Sequence, residues 1–283
     1  LNLVLGSVSI PLQSVWHIML NVVKEPITWQ NIIWKSRLPQ ALTALVAGAG
    51  LSISGLQMQT VFRNPLAGPS VLGISSGASM GVAFVVLLSG SLGGVALSKL
   101  GFMGEIALSI AAVIGSLSVM ALIVYVSQKV KGNVTLLIIG VMIGYVANAV
   151  IGVLKFFSVE EDIRAYVIWG LGSFARVSGN QMTLFVILMT ILIPLSFLLI
   201  KTMNLMLLGD SYARNLGLNI KRARLLVITS AGVLTAIVTA YCGPIIFLGL
   251  AVPHLCRAIF QTSDHRILMP AVLFAGAALA LIC

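Results

Sequence analysis

The chain has 283 residues, 59 % of them hydrophobic and only 8 % charged, with 17 Lys and Arg against 7 Asp and Glu for a net charge of +10. Soluble domains carry about 25 % charged residues, so this is a polytopic membrane protein with room for about eight to ten spans of some 20 apolar residues each. The positive charge does not mark a nucleic-acid-binding protein, because no basic patch interleaved with aromatics lies on a polar domain; it is topology information.

In chain order, Leu1–Leu5 reads as the last turn of a first span, and Gly6–Ser36 is then extracytoplasmic. Leu12, Val15, Trp16, Met19, Leu20 and Val23 follow helical spacing and predict a short interfacial helix, with His17 on its polar side. Trp16, Trp29 and Trp34 fit an aromatic belt. Arg37-Leu38-Pro39-Gln40 opens the inward span Ala41–Phe62, in which Ala44, Gly48 and Ser52 recur every four positions and permit close helix contact. Arg63–Pro69 breaks the chain at the cytoplasmic end: Pro65 and Pro69, with Gly68 between, exclude a continuous helix, and Asn64 can cap exposed backbone groups. Val71–Leu88 runs outward with Gly73, Gly77 and Gly81 on one face, open either to another helix or to a passing substrate.

Ser89–Gly104 is an outer loop holding Lys99, with Glu105 at the edge of the inward span Ile106–Gln128. Lys129 and Lys131 mark a cytoplasmic turn, and Gly132–Leu154 goes out again. Asn148 in that span needs a polar partner, from a neighbouring helix or a wet pathway. Lys155–Gln181 is an outer segment with a short helix near Ile163–Trp169, and Met182–Ile200 returns inward. Leu225–Tyr241 goes outward, Gly243-Pro244 breaks the chain, and Ile245–Phe260 turns back, interrupted at Pro253-His254. Arg257, His265 and Arg266 mark the inside again before Ile267–Cys283 begins a further span. Ten Lys and Arg fall inside and seven outside, and the inside loops are far shorter. Cys242, Cys256 and Cys283 lie in apolar runs without disulfide or metal spacing and read as inert thiols. The chain opens without Met and stops within an apolar run, so the natural protein is expected to be longer at both ends.

Lys201–Arg224 is the exception to this apolar pattern, with Lys201, Arg214, Lys221, Arg222 and Arg224 against the single acid Asp210. Gly209–Leu218 within it predicts a short helix, capped by Gly209 and Asp210, ended by Gly217, and carrying Leu208, Tyr212 and Leu216 as one apolar stripe. Such a helix at the cytoplasmic face is either a docking surface for a soluble partner or a solvated loop that fixes topology. An unbroken span followed by a Gly/Pro-interrupted one occurs twice, at Pro65/Pro69/Gly73 and at Pro244/Gly249/Pro253, with the breaks on opposite sides; this pattern predicts inverted repeats. No catalytic constellation, metal motif or cofactor motif is present, and no Asp or Glu sits mid-span for ion coupling. A transporter without its own energy coupling must borrow it. The competing reading is an ion-coupled secondary transporter with inverted repeats.

The run RLPQALTALVAGAGLSISGLQMQTVFRNPLAGPSVLGISSGAS (Arg37–Ser79), with MNLMLLGDSYARNLGLNI (Met203–Ile220), GPIIFLGLAVPHLCR (Gly243–Arg257) and DHRILMP (Asp264–Pro270), resembles the FecCD-type permeases of ABC importers for iron-siderophores, haem and cobalamin. The resemblance implies an all-α, ten-span type II importer permease with inverted repeats, truncated here to about eight to nine spans of a single transmembrane domain (residues 1–283), in a bacterial inner membrane. It implies a homodimer with two ATP-binding subunits and one periplasmic binding protein. By position, Gly209, Asp210, Ala213, Arg214, Leu216 and Gly217 match the helix that couples to the ATPase, within the coupling segment 201–224. Arg37 matches the first of two arginines that face the binding protein, and Gln40 replaces the second. The helix breaks and pathway are expected at Asn64, Pro65, Gly73, Gly77, Gly81, Asn148, Gly243, Pro244 and Pro253.

Overall fold

A computed structural model describes residues 8–20, 25–91, 102–130, 133–177 and 179–282. Expectations placed on Leu1–Leu5, Val23, Lys24, Lys99, Lys131 and Cys283 lie outside them. Among the described residues the structure is helical throughout, without strands. Two outer helices, α1 (Leu12–Leu20) and α2 (Ile27–Ile32), lead into α3 (Leu38–Phe62). The inward span therefore does not start at Ala41: Ile27–Phe62 is one helix of 36 residues, carrying a π-turn at Ile33–Arg37. That turn precedes Pro39, whose ring would meet the carbonyl four residues back and whose missing N–H leaves a carbonyl unpaired; a widened turn relieves both. On α1 the buried residues are Ser14, Val15 and Ile18, while Leu12, Trp16, Met19 and Leu20 point outward. His17 does not stand alone, because its Nδ1 lies 3.1 Å from Glu25 Oε1.

α3 is the axis of the bundle and is buried almost all round from Thr43 onward, as expected of a helix apolar on every side. Three crossings against it are built from small residues. A Cβ on Gly48 would stand 2.3 Å from the Gly276 carbonyl oxygen of α13 (His265–Ile282). One on Gly55 would stand 1.6 Å from the Gly249 oxygen of α12 (Leu248–Phe260), and one on Gly50 would meet the Met189 methyl of α8 (Gly179–Phe197). α11 (Ile220–Cys242) adds hydrogen bonds: the Ser54 hydroxyl is 2.7 Å from Thr235 Oγ1, and Gln57 Nε2 donates to Ser230 Oγ at 3.0 Å. With apolar lipid tails offering no hydrophobic drive for helix association, close backbone approach and interhelical hydrogen bonds supply the attraction.

After the first break come α4 (Ile74–Ser91), α5 (Phe102–Lys129) and α6 (Asn133–Phe156). The sequence left Gly73, Gly77 and Gly81 open between packing and pathway; the structure spends them on packing. Gly77 and Gly81 face Gly115 and Ala111 of α5, where a Cβ on Gly81 would lie 2.2 Å from the Ala111 oxygen. Gly73, at φ 73°, closes a 3-10 turn (Pro69–Leu72) and abuts Gly140 of α6. At the outer end, α7 (Glu160–Gly170) packs against α4, and a 3-10 turn at Phe174–Arg176 packs against α3 and α11. The Ser173 N–H donates to the Cys242 carbonyl at 2.7 Å.

Among the described residues, five helices are long and apolar enough to cross a membrane, and a bent pair makes up to six. Two shorter apolar helices, Ile74–Leu88 and Leu248–Phe260, join them. The bend is a correction: the run expected to end at Ile200 breaks after Phe197 and resumes as α9 (Ile200–Leu207), turned by 45°. The break at Pro253 is a second correction, since α12 runs through that residue as a continuous helix. The breaks at 63–68 and 243–247 stand, and lie at opposite ends of the bundle.

Candidate functional site

α9 and α10 (Asp210–Asn215) occupy the end of the bundle that the charge count places in the cytoplasm. Gly209, at φ 95° and ψ 155°, adopts a backbone conformation that side chains resist, and so turns the chain sharply into α10. Asp210 follows in the first turn, where the helix dipole favours an anion. The far end is a Schellman closure: the Leu218 N–H donates to the Ala213 carbonyl at 2.9 Å, the Gly217 N–H to the Arg214 carbonyl at 2.9 Å, and Gly217 sits at φ 85°. Asn219 then caps α11 by accepting from the Arg222 N–H at 3.1 Å. The helix is shorter than the expected 209–218, but both expected glycines end it.

One side chain, Ala213, is fully buried and anchors α10. Leu208, Tyr212 and Leu216 are 54 %, 71 % and 61 % exposed. The apolar stripe thus faces away from the protein. Leu66, in the break after α3, is 66 % exposed at the same end.

Charge fixes the orientation of this stripe. Asp210 Oδ1 accepts from Arg63 at 2.5 Å and its Oδ2 lies 3.8 Å from Arg224, while Arg63 also donates to the Met206 carbonyl at 3.2 Å. Asp210, grouped by sequence with the contact residues, is therefore a positioning residue that ties α10 to the α3 break and to α11. Asn64 Oδ1 accepts from the Leu66 N–H at 2.9 Å and shapes that break, and Pro65 is exposed within it. Because Asp210 and Arg63 are each 43 % exposed, the pair contributes at most about 1 kcal/mol. Asp210→Asn should accordingly leave the melting temperature within a few degrees of wild type, and a large loss of stability would contradict the reading of this pair as a weak surface tie.

A second network, missed by sequence reasoning, holds α9 in place. Asn204 Nδ2 donates to Asp264 Oδ1 at 2.6 Å, which orients the amide so that its oxygen receives both the His265 backbone N–H at 2.9 Å and the ring Nδ1 at 2.6 Å. A neutral imidazole then carries its proton on Nδ1, and the Thr60 hydroxyl lies 2.7 Å from Nε2 and 2.8 Å from the Leu56 carbonyl, so its one proton is shared between the two acceptors. Asp264 also accepts from the Arg266 N–H; this bond and the one from Asn204 hold its carboxyl below the usual range. His265 was read as a surface marker of the loop, yet it is fully buried. Its signal was the Asp264-His265 pair at a helix start, an N-cap pattern. His265→Leu removes the ring's bonds to Asn204 and Thr60, while the Asn204 oxygen keeps the backbone N–H of residue 265 and the Thr60 hydroxyl keeps the Leu56 carbonyl; it should cost about 0.5–1.5 kcal/mol per lost bond, readable as a lower melting temperature in detergent.

The outer-face expectations fare differently. Arg37 is only 6 % exposed, inside the π-turn, and its guanidinium donates to the Val8 carbonyl. It is a buried strut between the outer segment and α3, not a free rim charge, and Gln40 is half-buried one turn on. Asn148 is exposed on the outward face of α6, beside Tyr145 and Val146 at 66 % and 63 %. Gly243, at φ 79°, lies 2.8 Å from the Trp169 carbonyl oxygen by its would-be Cβ, and Pro244 follows at the outer break. Pro253 is buried in α12.

The FecCD transport family model matches residues 1–283. The hemin transport system permease protein of Yersinia pestis is 34 % identical over 281 residues, 98 % of this chain and 79 % of that protein. The vitamin B12 import system permease protein of Klebsiella pneumoniae is 35 % identical over 88 % of this chain and 71 % of that protein. Among solved structures, one described as an inward-facing conformation of a metal-chelate type ABC transporter matches with a TM-score of 0.82 and 29 % identity, covering 99 % of this chain and 83 % of that one.

Proposed function

The chain belongs to the FecCD transport family, and from that premise we propose that it is the permease subunit of an ATP-driven importer of a metal chelate, with an iron-siderophore as first choice and haem or cobalamin after it. The observation that carries the coupling role is the exposed Leu208–Tyr212–Leu216 stripe on a helix with both ends closed and its carboxylate locked to Arg63. A helix so fixed moves as a unit, so force applied to its apolar face reaches α3 through Arg63 and α13 through the Asn204–His265 contacts. Two copies of the chain with two ATPase subunits and one periplasmic binding protein, in a bacterial inner membrane, complete the reading.

The second copy is assigned to the outward face of α6, where Asn148 finds either its hydrogen-bond partner or the wet pathway between the copies. A passage lined by small and apolar residues without charges suits a bulky chelate held loosely, with selectivity supplied by the binding protein. Docking of that protein falls to exposed outer groups such as Lys35 and Arg164, with Arg37 supporting them from within. Rim charges of this type steer association more than they add affinity.

The test is co-purification of the full-length protein with the ATPase encoded beside it, followed by ATPase assays with the cognate binding protein and candidate chelates. Two-to-two co-elution, with hydrolysis raised by one loaded form, supports the reading and names the cargo. Absence of any ATPase association would remove the motor.

A further inference from the structure

A membrane-facing crevice opens between α5 and α8, floored by Tyr241 of α11, away from the coupling end and from the α6 face. It has two joined parts. The deeper part, about 350 Å3, is walled by Ile106, Ile110, Val113 and Leu184. The outer part, about 650 Å3, lies under α7 and the Phe174–Arg176 turn and is polar at its mouth. Ser109, Gln181 and Tyr241 line both, so the two parts are continuous. Each volume falls within the roughly 300–1,000 Å3 of small-molecule sites.

The polar part holds two buried donors that lack acceptors. Among the described residues, neither the buried Trp169 indole N–H nor the buried Gln181 amide nitrogen has a hydrogen-bond partner. Buried donors are ordinarily satisfied, so two such groups on one cavity wall call for acceptors from a ligand. Arg176 lines the same wall with its guanidinium 5.9 Å from the centre of the Trp169 ring. Glu105 lines it too, exposed and close enough to act on Arg176 electrostatically, yet without an ion pair between them among the described residues.

We propose that this crevice binds one zwitterionic glycerophospholipid of the outer leaflet. One acyl chain lies in the apolar part. Ester and phosphate oxygens receive the Gln181, Trp169 and Arg176 donors, and the headgroup ammonium sits at Glu105. Both charges of the site are then matched, which a purely anionic lipid cannot do, since it would place a second negative group beside Glu105. A detergent or a free fatty acid fills the apolar part but leaves Glu105 unpaired. The lipid would wedge α7 and the outer end of α11 in one position, bracing the Gly243 break.

The experiment is native mass spectrometry of the full-length protein extracted in mild detergent, titrated with phosphatidylethanolamine and phosphatidylglycerol in parallel. Wild type should bind one phosphatidylethanolamine per chain, about tenfold more tightly than phosphatidylglycerol, the scale of one charge-assisted contact. Glu105→Gln, an exposed substitution that leaves the fold intact, should erase that preference while keeping binding. Ser109→Trp fills the junction and should abolish binding of both lipids, with an unshifted melting temperature on lipid addition. Equal affinity of wild type for the two lipids, an unchanged preference in Glu105→Gln, or undiminished binding in Ser109→Trp would each overturn the proposal.

Discussion

On the proposed function, Leu216→Asp is expected to abolish ATP-driven uptake while leaving the proposed two-copy permease assembled. The side chain is 61 % exposed and touches no core, so its replacement should change the stability of the chain by no more than about 0.5 kcal/mol. Its effect lies in the contact with a partner. A leucine buried in a groove contributes about 1.5–3 kcal/mol, and a carboxylate forced into the same apolar contact adds an unpaired desolvation cost. Together these amount to some 3–5 kcal/mol, a weakening of more than about a hundredfold. Co-elution with the ATPase should fail and chelate uptake should fall to background, with the melting temperature and the dimer retained. Uptake at wild-type rate would remove the coupling role from α10. Tyr212→Asp should act alike, whereas Asp210→Asn should act more weakly, since it loosens the helix without blocking its face.

The second large effect concerns the bundle axis. Gly55→Ala would place a methyl group 1.6 Å from the Gly249 carbonyl oxygen, and the obstacle is backbone on both sides. No rotamer change relieves such a contact, so α3 and α12 must separate, and the crossing loses the close approach on which membrane packing depends. Overpacking ordinarily costs about 1–3 kcal/mol; a rigid backbone obstacle at the central helix should put this variant above about 3 kcal/mol, and the protein should fail to accumulate. Gly170→Ala is the matched control. No atom lies within 4 Å of its would-be Cβ, and reduced unfolded-chain entropy should make it neutral or stabilising by up to about 1 kcal/mol. Expression and melting in detergent read both. Normal accumulation of Gly55→Ala would mean that the α3–α12 crossing is wider than 1.6 Å implies.

Much of this architecture was legible in the sequence because the signals are local. Runs of apolar residues set the spans, Pro65 and Pro69 set the first break, and Gly243-Pro244 set the second. Gly209 and Gly217 forecast the ends of α10, since each holds a positive φ that other residues avoid. Small-residue spacing foretold a tight crossing at Gly48 and left one at Gly77 and Gly81 as an alternative to the pathway, without saying which helix each would meet. What the sequence concealed depends on partners far along the chain. Arg37 looked like a rim charge because its acceptor, the Val8 carbonyl, is a backbone atom with no side-chain signature. His265 looked like a loop residue because Asn204 and Thr60, which satisfy it, lie 61 and 205 positions away. Pro253 looked like a break, but the chain keeps helical direction through it and buries the ring. Asp210 was grouped with contact residues because nothing local announced that Arg63 would reach it.

The central claim is that transport through this chain is driven by ATP through the α10 face. The most direct measurement is chelate uptake into proteoliposomes containing the full-length permease, its ATPase and its loaded binding protein, with ATP enclosed and no ion gradient imposed. The account predicts uptake that needs ATP and all three components, and that disappears in Leu216→Asp. Uptake driven by an ion gradient in vesicles lacking the ATPase would contradict it and place the chain among secondary transporters.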